Sequence, residues 1–498
     1  METFQEALTK LIDNDGYSYA KAAATVGLVI AVRLYLRKAV SAVMGGSDLQ
    51  RKRSLSFNSK VMLGSFPESA GVWPPIINVL FIVENCGSKK ELMKLFEPMI
   101  CYERMKCVIR DNELVPVKVK MEDHITTVTV PNTGELKKYV DKVCETDLDD
   151  ISSKPPWMIH AITNKGGEDM ILWRLHHVIG DGIAIIGATS KFVNTVDGQP
   201  LDFSAKASSM KGGKEEGSRA SILEKVGCFF RVLATPASAY DATVAFNPMD
   251  KKMPVMSGRR TAVYLPTISL DWVKAIKNAA GVTVNDVMLS AIGGVIRRFS
   301  LTRGESAAYL AKAVNRALLP VALPRPAAEL TSNITGLRNK WAFASVDLPI
   351  SGATSAERLR SCRESTMALK GSSMVALQWL VQTYLLPLMP AFLRKQTALD
   401  LFARHSMVFS NLPGNEEPLL LGTKPLLGVQ VIFPNLLPQS ILISYNKLIF
   451  SNLVVDPAYI SDADKKLLQS LWREELVEMA DSLQVAKEAI FAEEQYLL

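Results

Sequence analysis

Along the chain, short continuous apolar runs alternate with stretches in which apolar residues recur every three or four positions, the mark of strands interleaved with amphipathic helices. Residues 74–83 read as a strand and 89–99 as the helix after it. Residues 115–119 and 126–130 suggest further strands, and 136–143 a helix. Ile171-Leu172-Trp173-Arg174-Leu175-His176-His177 reads as a short buried strand, and a helical pattern opens at Gly182. Between 201 and 221 the periodicity stops, and residues 204–218 are polar and Gly/Ser-rich, which predicts an exposed crossover. The pattern resumes with a strand at 260–265, a helix at 270–279, and another from Thr283, with Thr283 or Asn285 as cap and Ile292 and Ile296 on its apolar face. Residues 341–348 and 441–453 read as buried strands, and 461–486 as a long charged amphipathic helix.

This alternation predicts an α/β fold, and 498 residues exceed one ordinary core. The organisation expected is an N-terminal helix within 1–50, a first domain over 55–200, a crossover at 201–222 and a second domain over 223–498. Residues 22–32 are apolar, flanked by Lys21 and by Arg33, Arg37 and Lys38. Eleven residues are too few to span a bilayer, which takes about 20. A membrane-associated anchor helix is the preferred reading, against a plain packing helix, and Arg51-Lys52-Arg53 would then face the cytosol. Residues 374–393 are apolar almost throughout, but Pro387 and Pro390 break the run. A channel-lining or membrane-facing helical hairpin competes there with simple core packing.

Composition narrows the function. The 48% hydrophobic content supports two cores, and the net charge of +7 is modest, with no basic run interleaved with aromatics, so nucleic acid is set aside as a partner. A membrane surface or an anionic ligand stays compatible. Six cysteines lack CxxC spacing, which argues for reduced thiols and against a zinc site or a disulfide framework. Of five histidines, two are adjacent: His176-His177-Val178-Ile179-Gly180-Asp181-Gly182, where a strand turns into a helix. His177 shares a strand face with Ile171, Trp173 and Leu175. The bland alternative is a core histidine with Asp181 only capping the helix.

A histidine at a strand end, without a GxSxG or reactive cysteine motif, suits general-base work. Its natural substrate is an alcohol or amine attacking an activated carbonyl, because an alcohol ionises far above neutral pH and must lose its proton as attack proceeds. Imidazole, with an ordinary pKa of about 6.5, is available neutral. Asp181 can brace the turn by pairing with an arginine, with Arg104 as the candidate.

The seven-residue string resembles the HHxxxDG signature of the coenzyme A-dependent acyltransferase superfamily. Pro155-Pro156-Trp157 is similar to the PLW element of wax ester synthase/diacylglycerol acyltransferases, with Pro156 in place of Leu. Asn285-Asp286 resembles that family's ND element, and Ser410-Asn411-Leu412-Pro413-Gly414 its SNxPG element. The order agrees over residues 60–480. The DFGWG string of plant-type alcohol acyltransferases is absent from the sequence.

The resemblance implies a two-domain, chloramphenicol acetyltransferase-like fold with mixed sheets and a central channel. It implies His177 as the general base, with His176 supporting it, Asp181 architectural, and Asn285 at the developing oxyanion or on the alcohol. Gly182 would permit the close turn. Trp157, Ser410, Asn411, Pro413 and Gly414 would lie along the substrate path. Acyl-CoA would be a co-substrate, with no cofactor and no metal. The acceptor would be a fatty alcohol, giving wax esters, or diacylglycerol, giving triacylglycerol. The protein would work at a membrane or lipid-droplet surface, at the endoplasmic reticulum with its catalytic domains toward the cytosol. A short-chain alcohol or amine acyltransferase with the same base, or an inactive membrane-tethered acyl-CoA-binding protein, are the alternatives.

Overall fold

The computed structural model describes residues 55–64, 75–201, 222–248 and 257–492. The anchor helix expected within 1–50, the basic triplet at 51–53 and nearly all of the crossover lie outside the described residues. The first half runs α1 (Phe57–Val61), β1 (Ile76–Val83), α2 (Lys89–Phe96), β2 (Cys107–Arg110), β3 (Glu113–Pro116), β4 (Ile125–Val130), α3 (Thr133–Cys144), β5 (Trp157–Asn164), β6 (Asp169–His176), α4 (Gly182–Thr189) and β7 (Val193–Thr195). The second begins with α5 (Ile222–Ala234), β8 (Thr261–Ser269), α6 (Leu270–Ala280), α7 (Val284–Thr302), α8 (Ala307–Lys312), β9 (Arg316–Ala322), α9 (Ala327–Thr331), β10 (Trp341–Asp347), α10 (Ser355–Lys370), α11 (Met374–Leu380) and α12 (Ala391–Ala403). It ends with β11 (Met407–Leu412), β12 (Leu419–Leu421), β13 (Lys424–Ile432), β14 (Gln439–Tyr445), β15 (Leu448–Val455) and α13 (Asp462–Leu483).

Two mixed sheets organise these elements, in the orders β4-β5-β6-β1-β13-β12-β7 and β10-β9-β11-β14-β15-β8. Every side chain of β1 and of β6 is buried, as central strands covered on both faces require. The expected division at 201–222 is not clean. β12 and β13 leave the second half and complete the first sheet, β13 pairing antiparallel with β1 from Asn78↔Ile432 onward. From the other sheet, Asn452 on β15 donates to Gln430 Oε1 at 3.0 Å and to the Val431 carbonyl at 2.8 Å on β13, which ties the two sheets together. The strand expected over 441–453 is a hairpin, β14 and β15, turning at Asn446 and Lys447 with φ of 48° and 58°.

Helix starts follow local chemistry. Thr283 and Asp286 form a capping box at the head of α7, and Ser461 and Asp464 another at α13. α7 is buried along most of its length within the second core. α6 and α7 together have the length and composition of a membrane span, but they bend by 97°, and no single helix among the described residues is long and apolar enough to cross a membrane.

Residues 374–393 are neither a core helix nor a continuous one. α11 gives way to a π turn at Val381–Leu385 and a 3-10 turn at Leu386–Leu388 where Pro387 removes a donor, and α12 starts after Pro390. Only Val381, Gln382 and Leu388 of this stretch are buried. The core-packing expectation therefore fails here.

Candidate active site

β6 delivers the two histidines to the seam between the sheets. The His176 amide donates to the Pro156 carbonyl at 2.9 Å and the His177 amide to the Pro75 carbonyl at 2.7 Å, which carries strand pairing to the last residues before the turn. His176 is buried, and its Nδ1 accepts the Val178 amide at 3.1 Å. Burial, aided by the neighbouring His177, pushes its pKa down to about 3. With its acceptor nitrogen engaged by the Val178 amide, the His176 ring braces the turn, in keeping with the supporting place expected for it.

His177 is half-buried, with Nδ1 turned into the protein and without a hydrogen-bond partner among the described residues. Its ring meets Phe433 edge-on at 5.3 Å between centroids and Trp341 at 6.4 Å, both from the second half of the chain. Burial lowers its pKa, against the opposing charge of Asp181. The ring is therefore neutral at pH 7.

Asp181 is the hub of the turn. Its Oδ1 accepts the Ala184 amide at 3.1 Å and so caps α4, while Oδ2 accepts the Lys340 amide at 2.7 Å and the Arg325 guanidinium. Arg325, itself buried, also reaches the Arg338 and Lys340 carbonyls. The expected pairing with Arg104 is thus corrected: Arg325 is the partner. Arg104 supports the same turn through its backbone, donating to the carbonyls of Val178 at 2.7 Å and Ile179 at 3.1 Å and to Ser59 Oγ at 3.0 Å. Desolvation and Arg338 lower its pKa to about 10. Asn339 completes the clamp from the second half, its Nδ2 donating to the His177 carbonyl at 2.7 Å and to Ser59 Oγ at 3.1 Å.

Gly182 is needed for closeness and not for its backbone angles. A Cβ there would lie 2.7 Å from Leu412 at the end of β11. This contact sets the Ser410–Gly414 segment against the histidine turn. Asn411 on β11 donates to Asn285 Oδ1 at 2.6 Å, so the ND and SNxPG motifs meet. Asn285 is exposed, at the second position of α7, and its accepting oxygen leaves the Nδ2 group as donor. Its neighbour Asp286 does separate work, capping α7 and accepting Thr366 Oγ1 at 2.6 Å. Ser410 is half-buried on the same strand and Pro413 exposed beyond it. Gly414 lets the chain pass β14, since a Cβ would overlap the Ser444 carbonyl at 1.6 Å.

Trp157 departs from expectation. It is fully buried, its ring stacked on His124 at 3.9 Å and its indole N–H given to the Met105 carbonyl at 2.8 Å, so it packs the wall behind the histidine strand. Arg325, Asn339, Trp341 and Phe433 escaped the sequence reading, because each is isolated in the chain and acts only where the halves meet. The Pro-Arg-Pro at 324–326 is the one local oddity that could have drawn notice. Among the described residues no group of three or more His, Cys, Asp or Glu could hold a metal ion, and the six cysteines are free thiols.

Comparison with known proteins agrees with this geometry. Residues 114–288 match the wax ester synthase/diacylglycerol acyltransferase catalytic domain, and residues 337–480 the C-terminal domain of the same family. Wax ester synthase/diacylglycerol acyltransferase 5 of Arabidopsis thaliana is 27% identical over 437 residues, 79% of this chain and 82% of that protein. The wax ester synthase/diacylglycerol acyltransferase of Marinobacter aquaeolei superposes with a TM-score of 0.59 at 17% identity, over 87% of this chain and 100% of that one. The first condensation domain of the calcium-dependent antibiotic synthetase also gives 0.59, at 12% identity, over 88% and 99%. These two structures share the chloramphenicol acetyltransferase-type architecture.

Proposed function

We propose, from the premise that this chain belongs to the wax ester synthase/diacylglycerol acyltransferase family and is an acyl-CoA-dependent O-acyltransferase, that His177 is its general base and that a long-chain alcohol or diacylglycerol is its acceptor. The observation that carries the reading is the turn itself. A neutral imidazole sits at the seam with Nδ1 inward, its own carbonyl held by Asn339 and the turn that follows by Arg104 and Asp181.

His177 removes the acceptor hydroxyl proton as the oxygen attacks the thioester carbonyl. The tetrahedral intermediate collapses with loss of CoA thiolate, which the imidazolium protonates, giving an ester and free CoA without an acyl-enzyme. The free Nδ2 of Asn285 donates to the oxyanion or orients the alcohol. Asp181, engaged by Arg325, the Lys340 amide and the Ala184 amide, fixes the geometry of the turn. Ser410 and Asn411 border the substrate path. A membrane or lipid-droplet surface, at the endoplasmic reticulum, would present such an acceptor, and the apolar run 22–32 with its basic flanks favours that setting.

The test is neutral-lipid analysis in a host lacking its own acyltransferases. Wild-type protein is expected to accumulate wax ester when fed fatty alcohol, or triacylglycerol, and His177→Ala to accumulate neither. Equal accumulation by the variant would remove His177 from the mechanism.

A further inference from the structure

Neighbouring helices of the second half carry large apolar side chains that nothing among the described residues covers. On α5, Val226, Phe230 and Leu233 are 47%, 62% and 42% exposed. Their i, i+4, i+7 spacing makes one stripe, while Cys228 and Val232 point inward. α11 packs against α5 and begins the run 374–393, which has no charged residue. There Leu380, Tyr384 and Phe392 are 42%, 54% and 48% exposed. A soluble surface seldom leaves so many large side chains together.

Two observations say what covers them. Lys225 and Arg231 are exposed on α5 beside a single acidic residue, Glu224, and α12 carries Arg394 and Lys395 against Asp400, so basic groups outnumber acidic ones on both helices. The face also leads inward to the base: α11 packs on β10, Gln382 Nε2 donates to the Trp341 carbonyl at 3.4 Å, and the Trp341 ring faces His177. α1 packs on the π turn at Val381–Leu385.

We propose that the α5/α11/α12 face docks on an anionic lipid surface, apolar side chains entering the interface and lysines and arginine lying among the headgroups, so that a lipid acceptor enters beside Trp341 without crossing water. This rests on the reading that the acceptor is a lipid. A second copy of the chain is the competing occupant, and the test separates it from lipid.

The test uses the full-length protein with vesicles of phosphatidylcholine alone or with added phosphatidylserine, read by hydrogen exchange and by turnover. Peptides covering 222–234 and 374–403 are expected to gain protection with the anionic vesicles and to lose it in high salt. The triple variant F230E/L380E/F392E is expected to lose that protection and about tenfold in turnover of a vesicle-embedded acceptor, while keeping turnover of a water-soluble short alcohol. Unchanged exchange at both segments would overturn the proposal. So would protection that rises with protein concentration in the absence of vesicles, or protection abolished by charged substitutions within 22–32, which would assign the face to a second copy or to that segment. Lipid-induced protection without ester formation from any acceptor would instead sink the acyl-transfer reading and leave the docking surface standing.

Discussion

The two ends of the site are built differently. At the base end, His176, Asp181, Arg104, Arg325 and Asn339 are all at most 7% exposed and tie one turn of backbone to both halves of the chain. At the other end Asn285 is exposed, and its amide oxygen is held by one hydrogen bond from Asn411. The first arrangement fixes the backbone that carries the His177 ring. The second fixes one orientation of an amide and leaves room around it. On the proposed mechanism, proton removal demands fixed distances whatever the acceptor, whereas acceptors differ in bulk, so rigidity would be concentrated where the chemistry is common to all of them.

Substitutions at the two ends sharpen or break this contrast. His177→Ala is expected to lower turnover roughly a hundred- to ten-thousand-fold with unchanged thermal unfolding; a fall below tenfold in steady-state assays would mean that the tight end serves structure alone. Asp181→Ala leaves the Arg325 guanidinium buried without its carboxylate and is expected to cost about 3–5 kcal/mol of stability in denaturant titrations. The double variant with Arg325→Ala should recover part of that loss, and strict additivity would show that the pair is not coupled. Asn339→Ala removes the donor to the His177 carbonyl and is expected to cost about 1–3 kcal/mol. Asn285→Ala should leave stability unchanged and raise the acceptor KM by about tenfold or less; a kcat loss of about a hundredfold would make it an oxyanion donor of the rigid kind and erase the distinction.

The smallest effect expected is in the pH profile. Burial lowers the His177 pKa, so the neutral, proton-accepting ring persists to more acidic pH than free imidazole does. The acid limb of kcat/KM should therefore lie below about pH 6.5. The same sign governs stability: His124 and His160, pushed down to about 4, and His176, at about 3, stay neutral when folded but take up protons in the unfolded chain. Unfolding free energy is expected to be level above about pH 6.5 and to fall continuously as the pH drops from there toward 4. An acid limb above 7 would mean that the base end is wetter than its packing indicates.

What could be read in the sequence was what is local. The strand feeding His177, the Asp181 cap, the Thr283 cap and the charged final helix all follow from neighbouring residues. The family motifs singled out Asn285 and Asn411 separately, but not their meeting, since 126 positions separate them. Arg325 took the place expected for Arg104 because both are buried arginines near one turn, and only the tertiary path of the second half decides which reaches the carboxylate. The run 374–393 misled for a related reason: apolar composition reports a preference for leaving water but not what the residues leave it for. Trp157 illustrates the reverse, a motif residue whose whole side chain is absorbed by packing.

The passage of β12 and β13 into the first sheet bears on how the protein is made. A ribosome releases the histidine turn some 250 residues before Lys424–Ile432, the strand that pairs with β1. Until that strand emerges, β1 presents a naked apolar edge of the sort that chaperones shield and that aggregates recruit. The clamp on His177 is equally late, because Arg325 and Asn339 come from the same trailing half. A nascent or truncated chain therefore holds the histidine turn without the two side chains that clamp it in the finished fold.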